Sequence, residues 1–377
     1  MKRNLFLAVF VLLLTACVQK NSIKIEITNT SNIDRTESIV EIDRQSFAGL
    51  NPDSIIVLND KGIELPHQIL YNGRETPQTL LFPATVPANS KSTYTLKAGI
   101  PCACPAKTFG RQVPERKDDF AWENDRVVYR VYGPALADEY PSNGYDLWLK
   151  KTNALIINQF YKDDLSGVAS YHVDHGEGLD CYKVGHTLGA GAIAPFADNK
   201  IWVENHYTTV KVLDCGILRT SFELTYDSVL VKDKVLSEKL IISLDAGSQF
   251  NKAEVQYSGD CEKLNLAAGI YLHDKQGIIF DDLEKGIFSY SENAVSDAGV
   301  PAGRNYVGLV FTTSVKNIFQ DEKHIAGVLD YSCETPLVYY FGGGWSQWGF
   351  DSDKDWQKYV EKYAEMLRYP LEINILK

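Results

Sequence analysis

The chain has 377 residues, 45% of them hydrophobic and 23% charged, which is ordinary globular material without low-complexity segments. Its formal charge of −11, with no basic cluster, argues against nucleic acid as a partner, because a phosphate backbone needs grouped Lys and Arg. An anionic sugar remains open as a ligand wherever a single Arg, Lys or metal is placed to meet it.

Taken in chain order, Met1-Lys2-Arg3, the apolar run 5–14 and Thr15-Ala16-Cys17 are the basic, hydrophobic and small-residue regions of an export signal. The run is too short for a permanent membrane helix. Leu14-Thr15-Ala16-Cys17 resembles a bacterial lipobox, implying removal of residues 1–16, lipidation of Cys17, membrane contact through that lipid alone, and a periplasmic or outer-membrane location. An ordinary cleaved signal with an incidental cysteine is the alternative. Ile23-Lys24-Ile25-Glu26-Ile27 then alternates with period two and opens a series of short strands punctuated by turns such as Asn59-Asp60-Lys61-Gly62. Residues 17–100 read as an N-terminal β-sandwich segment, and Pro101 and Pro105 mark its boundary with a main domain over 101–377.

Further strands are expected at 126–132, 208–213, 218–226, 235–244, 253–257, 265–272, 307–311 and 337–341. Helical periodicity is scarce until 354–368, where Trp356, Tyr359, Val360, Tyr363 and Leu367 form an apolar stripe with Ser352 or Asp353 as N-cap. The pattern predicts a mainly β protein, a large antiparallel β-sandwich with an N-terminal β-sandwich layer and a C-terminal helix. Besides Cys17 there are six cysteines, for which a structural disulfide or buried thiols are expected. Cys102-Ala103-Cys104 lacks the spacing of a zinc site.

One segment carries most of the chemistry. Tyr171-His172-Val173-Asp174-His175-Gly176-Glu177-Gly178-Leu179-Asp180-Cys181-Tyr182, continuing to His186, Gly189 and Gly191, has neither helical nor strand period and gathers imidazoles and carboxylates on a glycine-rich loop. Imidazole tuned by a carboxylate is what proton transfer near pH 7 requires. A divalent metal is an open alternative: imidazoles would suit zinc, whereas Asp174, Glu177 and Asp180 would suit calcium.

The segments 120–136, beginning Phe120-Ala121-Trp122-Glu123-Asn124-Asp125-Arg126, then 172–191, and finally Phe341-Gly342-Gly343-Gly344-Trp345-Ser346-Gln347-Trp348, resemble a family of Bacteroidetes lipoproteins. Its members look like products of polysaccharide-utilisation loci. The resemblance implies glycan metabolism and a supersandwich similar to galactose-mutarotase and polysaccharide-lyase proteins; it assigns no catalytic residue.

Taken with that resemblance, the residues suggest a lyase acting on uronic-acid-containing oligosaccharides. His172, His175 and Tyr182 are the candidates for proton transfer, with Asp174 and Asp180 orienting the imidazoles. Arg126 and Arg130, four apart in an expected strand and so on one face, would meet the sugar carboxylate. Glu123, His186, Glu204 and His206 are further polar contacts, Asn143-Gly144-Tyr145-Asp146-Leu147-Trp148 is a weaker one, and Trp345 and Trp348, on a turn after an apolar strand, would stack on sugar rings. Two alternatives stand: a glycoside hydrolase pairing Glu123 with Asp180 or Glu204, and a non-catalytic carbohydrate-binding lipoprotein.

Overall fold

A computed structural model describes residues 22–139, 144–203 and 205–376; the export signal, Cys17, Asn143 and Glu204 lie outside the described residues. Alternation decides the first layer. Ile23, Ile25 and Ile27 of Ser22–Asn29 point into a small core, facing Val40 and Ile42 of Arg35–Asp43 and Leu80 and Phe82 of Thr79–Val86. Two sheets enclose that core: one ordered Glu372–Leu376, Ser22–Asn29, Ser90–Ala98, Ile55–Leu58, Glu64–Leu65, the other ordered Arg35–Asp43, Thr79–Val86, Gln68–Leu70. The last strand of the chain thus pairs with the first, Ile25 opposite Ile375.

The larger body is a sandwich of antiparallel sheets. Its backbone is an eight-stranded sheet running Thr209–Asp214, Arg219–Val231, Lys234–Asp245, Phe250–Gly259, Leu337–Trp345, Pro301–Phe311, Ile287–Val295, Ile278–Asp282. Against one face lie two five-stranded sheets. One contains Ala190–Ala197, Lys263–Tyr271 and His324–Ser332; the other runs Gly178–Asp180, Tyr145–Lys150, Val128–Val131, Asp119–Asn124, Thr108–Val113. Phe222, Leu240, Leu266, Trp122, Tyr129 and Phe341 from all three sheets share one continuous core. The fold is the expected mainly β sandwich with an N-terminal layer and a C-terminal helix.

That closing helix, Asp353–Arg368, begins where Ser352 accepts a hydrogen bond from the Asp355 N–H, with Asp353 and Asp355 favourably placed at its positive end. It packs Trp356, Val360 and Ala364 on Phe250, Tyr306 and Val310, the other face of the eight-stranded sheet. Each fully buried large side chain there contributes about 1.5–3 kcal/mol. The adjoining triple glycine is strand and not turn. A Cβ on Gly343 would lie 2.5 Å from Leu147, and one on Gly344 2.7 Å from the Phe350 ring, so the glycines let side chains pack directly on backbone from both faces. Among the described residues one disulfide forms, Cys261–Cys333; Cys102, Cys104, Cys181 and Cys215 are free.

Polar contacts fix the small sandwich to the large one. The Gln68 side-chain oxygen accepts from the Leu218 and Arg219 N–H groups, and Arg219 bridges Glu41 at 2.6 Å and Asp245 at 2.5 Å.

Candidate functional site

The sheet from 108 to 180 positions the chemistry. Pairing of Arg130 with Asp146 and of Trp148 with Asp180 puts Asp119, Glu123, Arg130, Asp146, Lys150 and Asp180 on one face, while Phe120, Trp122, Tyr129, Tyr145 and Leu147 fill the main core on the other. An outward face with this many charges would ordinarily be wet. Here helix Ile157–Leu165, which shows no strong sequence signature, covers it with Ile157, Phe160 and Tyr161, joined by Tyr171, and all six charged side chains are buried.

Two charge clusters result. In the first, Lys150 Nζ donates to the Glu123 carboxylate at 2.8 Å and to the Asn124 carbonyl at 2.7 Å, while Glu123 also accepts the N–H groups of Ile156 and Ile157 at 2.9 and 2.8 Å. Glu123 is therefore committed to anchoring a helix N-terminus, and the expectation that it contacts substrate meets a fully enclosed carboxylate.

In the second cluster, Arg130 lies 2.5 Å from Asp146 and 2.8 Å from Asp180, with Asp119 at 3.9 Å. Trp148 Nε1–H donates to Asp146 at 3.0 Å, yet Asp146 Oδ1 is buried without a hydrogen-bond partner among the described residues. Arg116 also approaches Asp119, at 3.8 Å, so three carboxyls share two guanidiniums, and only Arg130 is itself enclosed. Burial, opposed by Arg130, pushes Asp119 up to about 6 and raises Asp146 and Asp180, where their mutual repulsion adds to the effect for Asp146. Burial thus works against full ionisation of the three carboxyls together.

Arg126 and Arg130 do not share a face. The strand begins only at Val128, and Arg126 sits in the preceding turn, where Asn124 Oδ1 accepts the N–H groups of Arg126 and Val127. Arg126 is exposed, its guanidinium 5.6 Å from the Trp348 ring, whereas Arg130 is closed in by Tyr132, Trp148 and Tyr171. The period-two argument failed because Asx capping by Asn124 turns the chain before the ladder starts.

At the open edge of this cluster lies His172. Its Nδ1 is 3.0 Å from the Asp180 carbonyl oxygen, 3.7 Å from the Asp180 carboxylate and 3.5 Å from Asp297, and its side chain is 37% exposed. Nε2 has no hydrogen-bond partner among the described residues. Asp297 belongs to the hairpin tip between Ile287–Val295 and Pro301–Phe311 and also faces Lys183 at 3.3 Å. Arg130, Asp180, His172, Asp297 and Lys183 thus form a continuous run of polar contacts from interior to solvent. Nothing local in the sequence marks Asp297 or Lys183, which reach the site from separate loops.

The remaining candidates do not converge there. Asp174 caps its own loop, accepting from the Gly176 and Gly178 N–H groups and pairing with Lys151 at 2.5 Å. His175 is exposed, with Nε2 3.2 Å from the Ser170 carbonyl. Tyr182 is buried and donates to the Gly189 carbonyl at 3.1 Å; burial raises its pKa well above the usual phenol value, so it is not presented as a base. His186 is half-buried near His324, and His206 Nδ1 lies 3.3 Å from the Tyr132 carbonyl. Trp345 is core, its indole N–H donating to the Ala302 carbonyl at 2.5 Å, which leaves Trp348 as the half-exposed indole of the pair. Among the described residues no three His, Cys, Asp or Glu side chains converge as a ligand set for a metal ion.

A β-sandwich protein of this architecture, with a buried acid cluster leading to a surface imidazole, defines the structural class. The chain belongs to the family described as "Domain of unknown function (DUF4861)", whose profile matches residues 27–373. Among its relatives is "Uncharacterized protein P7" of Formosa agariphila, 32% identical over 318 residues that make up 80% of this chain and 78% of that protein. Among solved structures, a protein in glycosyl hydrolase family 38 from Enterococcus faecalis is similar with a TM-score of 0.46 and 8% identity over 95% of this chain and 48% of that one. An α-mannosidase from Enterococcus faecalis V583 gives 0.43 and 8% over 95% and 46%. The chain spans about half the length of these two structures, and no residue role is carried over from them.

Proposed function

We propose that the protein is a glycan-degrading enzyme of polysaccharide utilisation, a lyase acting on uronic-acid-containing oligosaccharides, with His172 as its base. The carrying observation is the setting of His172: Nδ1 faces the Asp180 carbonyl and two carboxylates, which holds the ring with its Nδ1–H inward and leaves Nε2 toward solvent as the acceptor. Nε2 would remove the proton next to the sugar carboxylate, the bond to the leaving oxygen would break to form the unsaturated ring, and the departing oxygen would take a proton from water. Lys183, 69% exposed, is the cation placed to meet the carboxylate. Arg130, enclosed, instead holds Asp180 in place.

Hydrolysis is the second reading. Asp180, buried with a raised pKa, and Asp297, at the surface, face the same imidazole nitrogen, and two carboxyls in unlike environments suit acid and base roles. The same proposal places the protein in the periplasm or at the outer membrane, tethered through a lipid on Cys17.

Incubation with a panel of uronic-acid polysaccharides separates the readings: elimination raises the ultraviolet absorbance of an unsaturated product, hydrolysis releases reducing ends without it, and pure binding does neither. His172→Ala is expected to lower turnover by roughly 10²–10⁴-fold. His175→Ala should leave it near wild type, because that ring points to Ser170 and away from the cluster. An unchanged rate in His172→Ala removes the base from the mechanism.

A further inference from the structure

A groove of about 830 Å³ runs along the junction of the N-terminal sandwich and the main body, within the range of ligand sites. Its main-body wall carries Lys107, Arg126 and Asn153, and the opposite wall carries Thr36 and Glu37. Lys107 and Arg126 are both exposed, and neither has a carboxylate within ion-pair distance among the described residues, although the protein carries a net charge of −11. Asp125, the nearest acid in sequence, is buried and accepts the Gly247 N–H at 2.6 Å. Arg126 also lines the adjoining crevice, where it lies over the half-exposed Trp348.

An unpaired guanidinium and an unpaired ammonium on a groove of mixed apolar and polar lining, with an indole in the crevice that Arg126 also lines, select a ligand that is both anionic and flat-faced. We propose that this groove is a binding site for an extended acidic glycan, with sugar carboxylates on Arg126 and Lys107, a pyranose face against Trp348, and hydroxyls on Asn153 and Glu37. The planar fork of Arg126 suits a carboxylate, and the indole buries the CH face of a sugar while its hydroxyls stay with polar neighbours. The inference takes its ligand class from the acidic-glycan reading above and adds a second contact region outside the His172 cluster. Lys151 connects the two: it lies over the Trp345 ring and pairs with Asp174, two residues beyond His172.

Affinity electrophoresis of the full chain tests the site, with polygalacturonate, dextran sulfate or a neutral glucan cast in the gel. Retardation is expected in polygalacturonate alone, weakened at least tenfold in apparent affinity by Arg126→Ala combined with Lys107→Ala, and severalfold by Trp348→Ala. Both cations are exposed, so an unchanged thermal melt verifies that the variant is folded. His172→Ala should be retarded like wild type; retardation of wild type together with no turnover by wild type on any uronic-acid polysaccharide would leave the groove standing while the lyase reading falls. The groove proposal is overturned if wild type migrates freely through polygalacturonate, if dextran sulfate or the neutral glucan retards it as strongly, or if the double variant binds as well as wild type.

Discussion

Glu123→Gln separates a structural role from a substrate-binding one. The carboxylate receives three donors, Lys150 Nζ and the Ile156 and Ile157 N–H groups, all between 2.8 and 2.9 Å, with Glu123 and Lys150 side chains both fully enclosed. Glutamine preserves the volume but replaces one accepting oxygen with a donor facing donors, and it leaves the Lys150 ammonium with only the Asn124 carbonyl. Removing one partner of a buried pair costs about 3–5 kcal/mol. The loss stays near the lower end, because burial already lowers the Lys150 pKa and the amine can escape by giving up its proton. Against a total stability of about 5–15 kcal/mol, that is a large displacement of a urea unfolding midpoint followed by circular dichroism. Adding Lys150→Met removes the stranded charge and should restore at least half of the loss, which a double-mutant cycle would record as a coupling of several kcal/mol. Below its melting range the single variant should keep its affinity for glycan. A stability change under about 1 kcal/mol, or weakened binding at full stability, would show that Glu123 faces ligand and that its enclosure has been misjudged.

Three further outcomes follow from buried groups. Glu238, enclosed on the inner face of the eight-stranded sheet between Tyr226 and Tyr257, is pushed by burial to about 8. Its folded pKa is raised, so the stability it contributes is complete below the unfolded value of 4.5 and is lost as pH rises through about 8. Glu238→Gln should accordingly melt higher than wild type at pH 9 and match it at pH 4, and an equal shift at both pH values would refute the assignment. Replacing Cys261 and Cys333 by Ser opens a loop spanning 72 positions and should cost about 2–4 kcal/mol, measured as the urea midpoint with and without reductant. Gly343→Ala should destabilise by about 1–3 kcal/mol through collision with Leu147, whereas Gly62→Ala, which meets nothing, should cost only the strain of its positive φ; similar losses at both would contradict the packing argument.

Much of the architecture was legible in the chain. The alternation of Ile23, Ile25 and Ile27, the long strands around Leu224 and Ile242, and the stripe of Trp356 and Val360 after Ser352 each state their own element, because a half-buried strand or helix writes its period into neighbouring residues. The His172–Asp180 loop was also visible, since clustering of imidazoles, acids and glycines is a local property. What the sequence could not state was which of those groups meet. Arg130 reads as a twin of Arg126 until Asn124 caps the turn between them, and Trp345 reads as a partner of Trp348 until the strand carries it into the core.

Helix Ile157–Leu165 illustrates the physical reason. Its nine residues bury only Ile157, Phe160 and Tyr161 and carry no side-chain N-cap of their own, so it exists because Glu123, more than thirty residues earlier, accepts its first N–H groups. By covering the outer face of its sheet, it turns six surface charges into buried ones and moves three carboxyls upward in pKa. Composition and period fixed the strands. Long-range packing decided which charges are dry, and dryness is what distinguishes the acids that hold the scaffold from the imidazole left facing water.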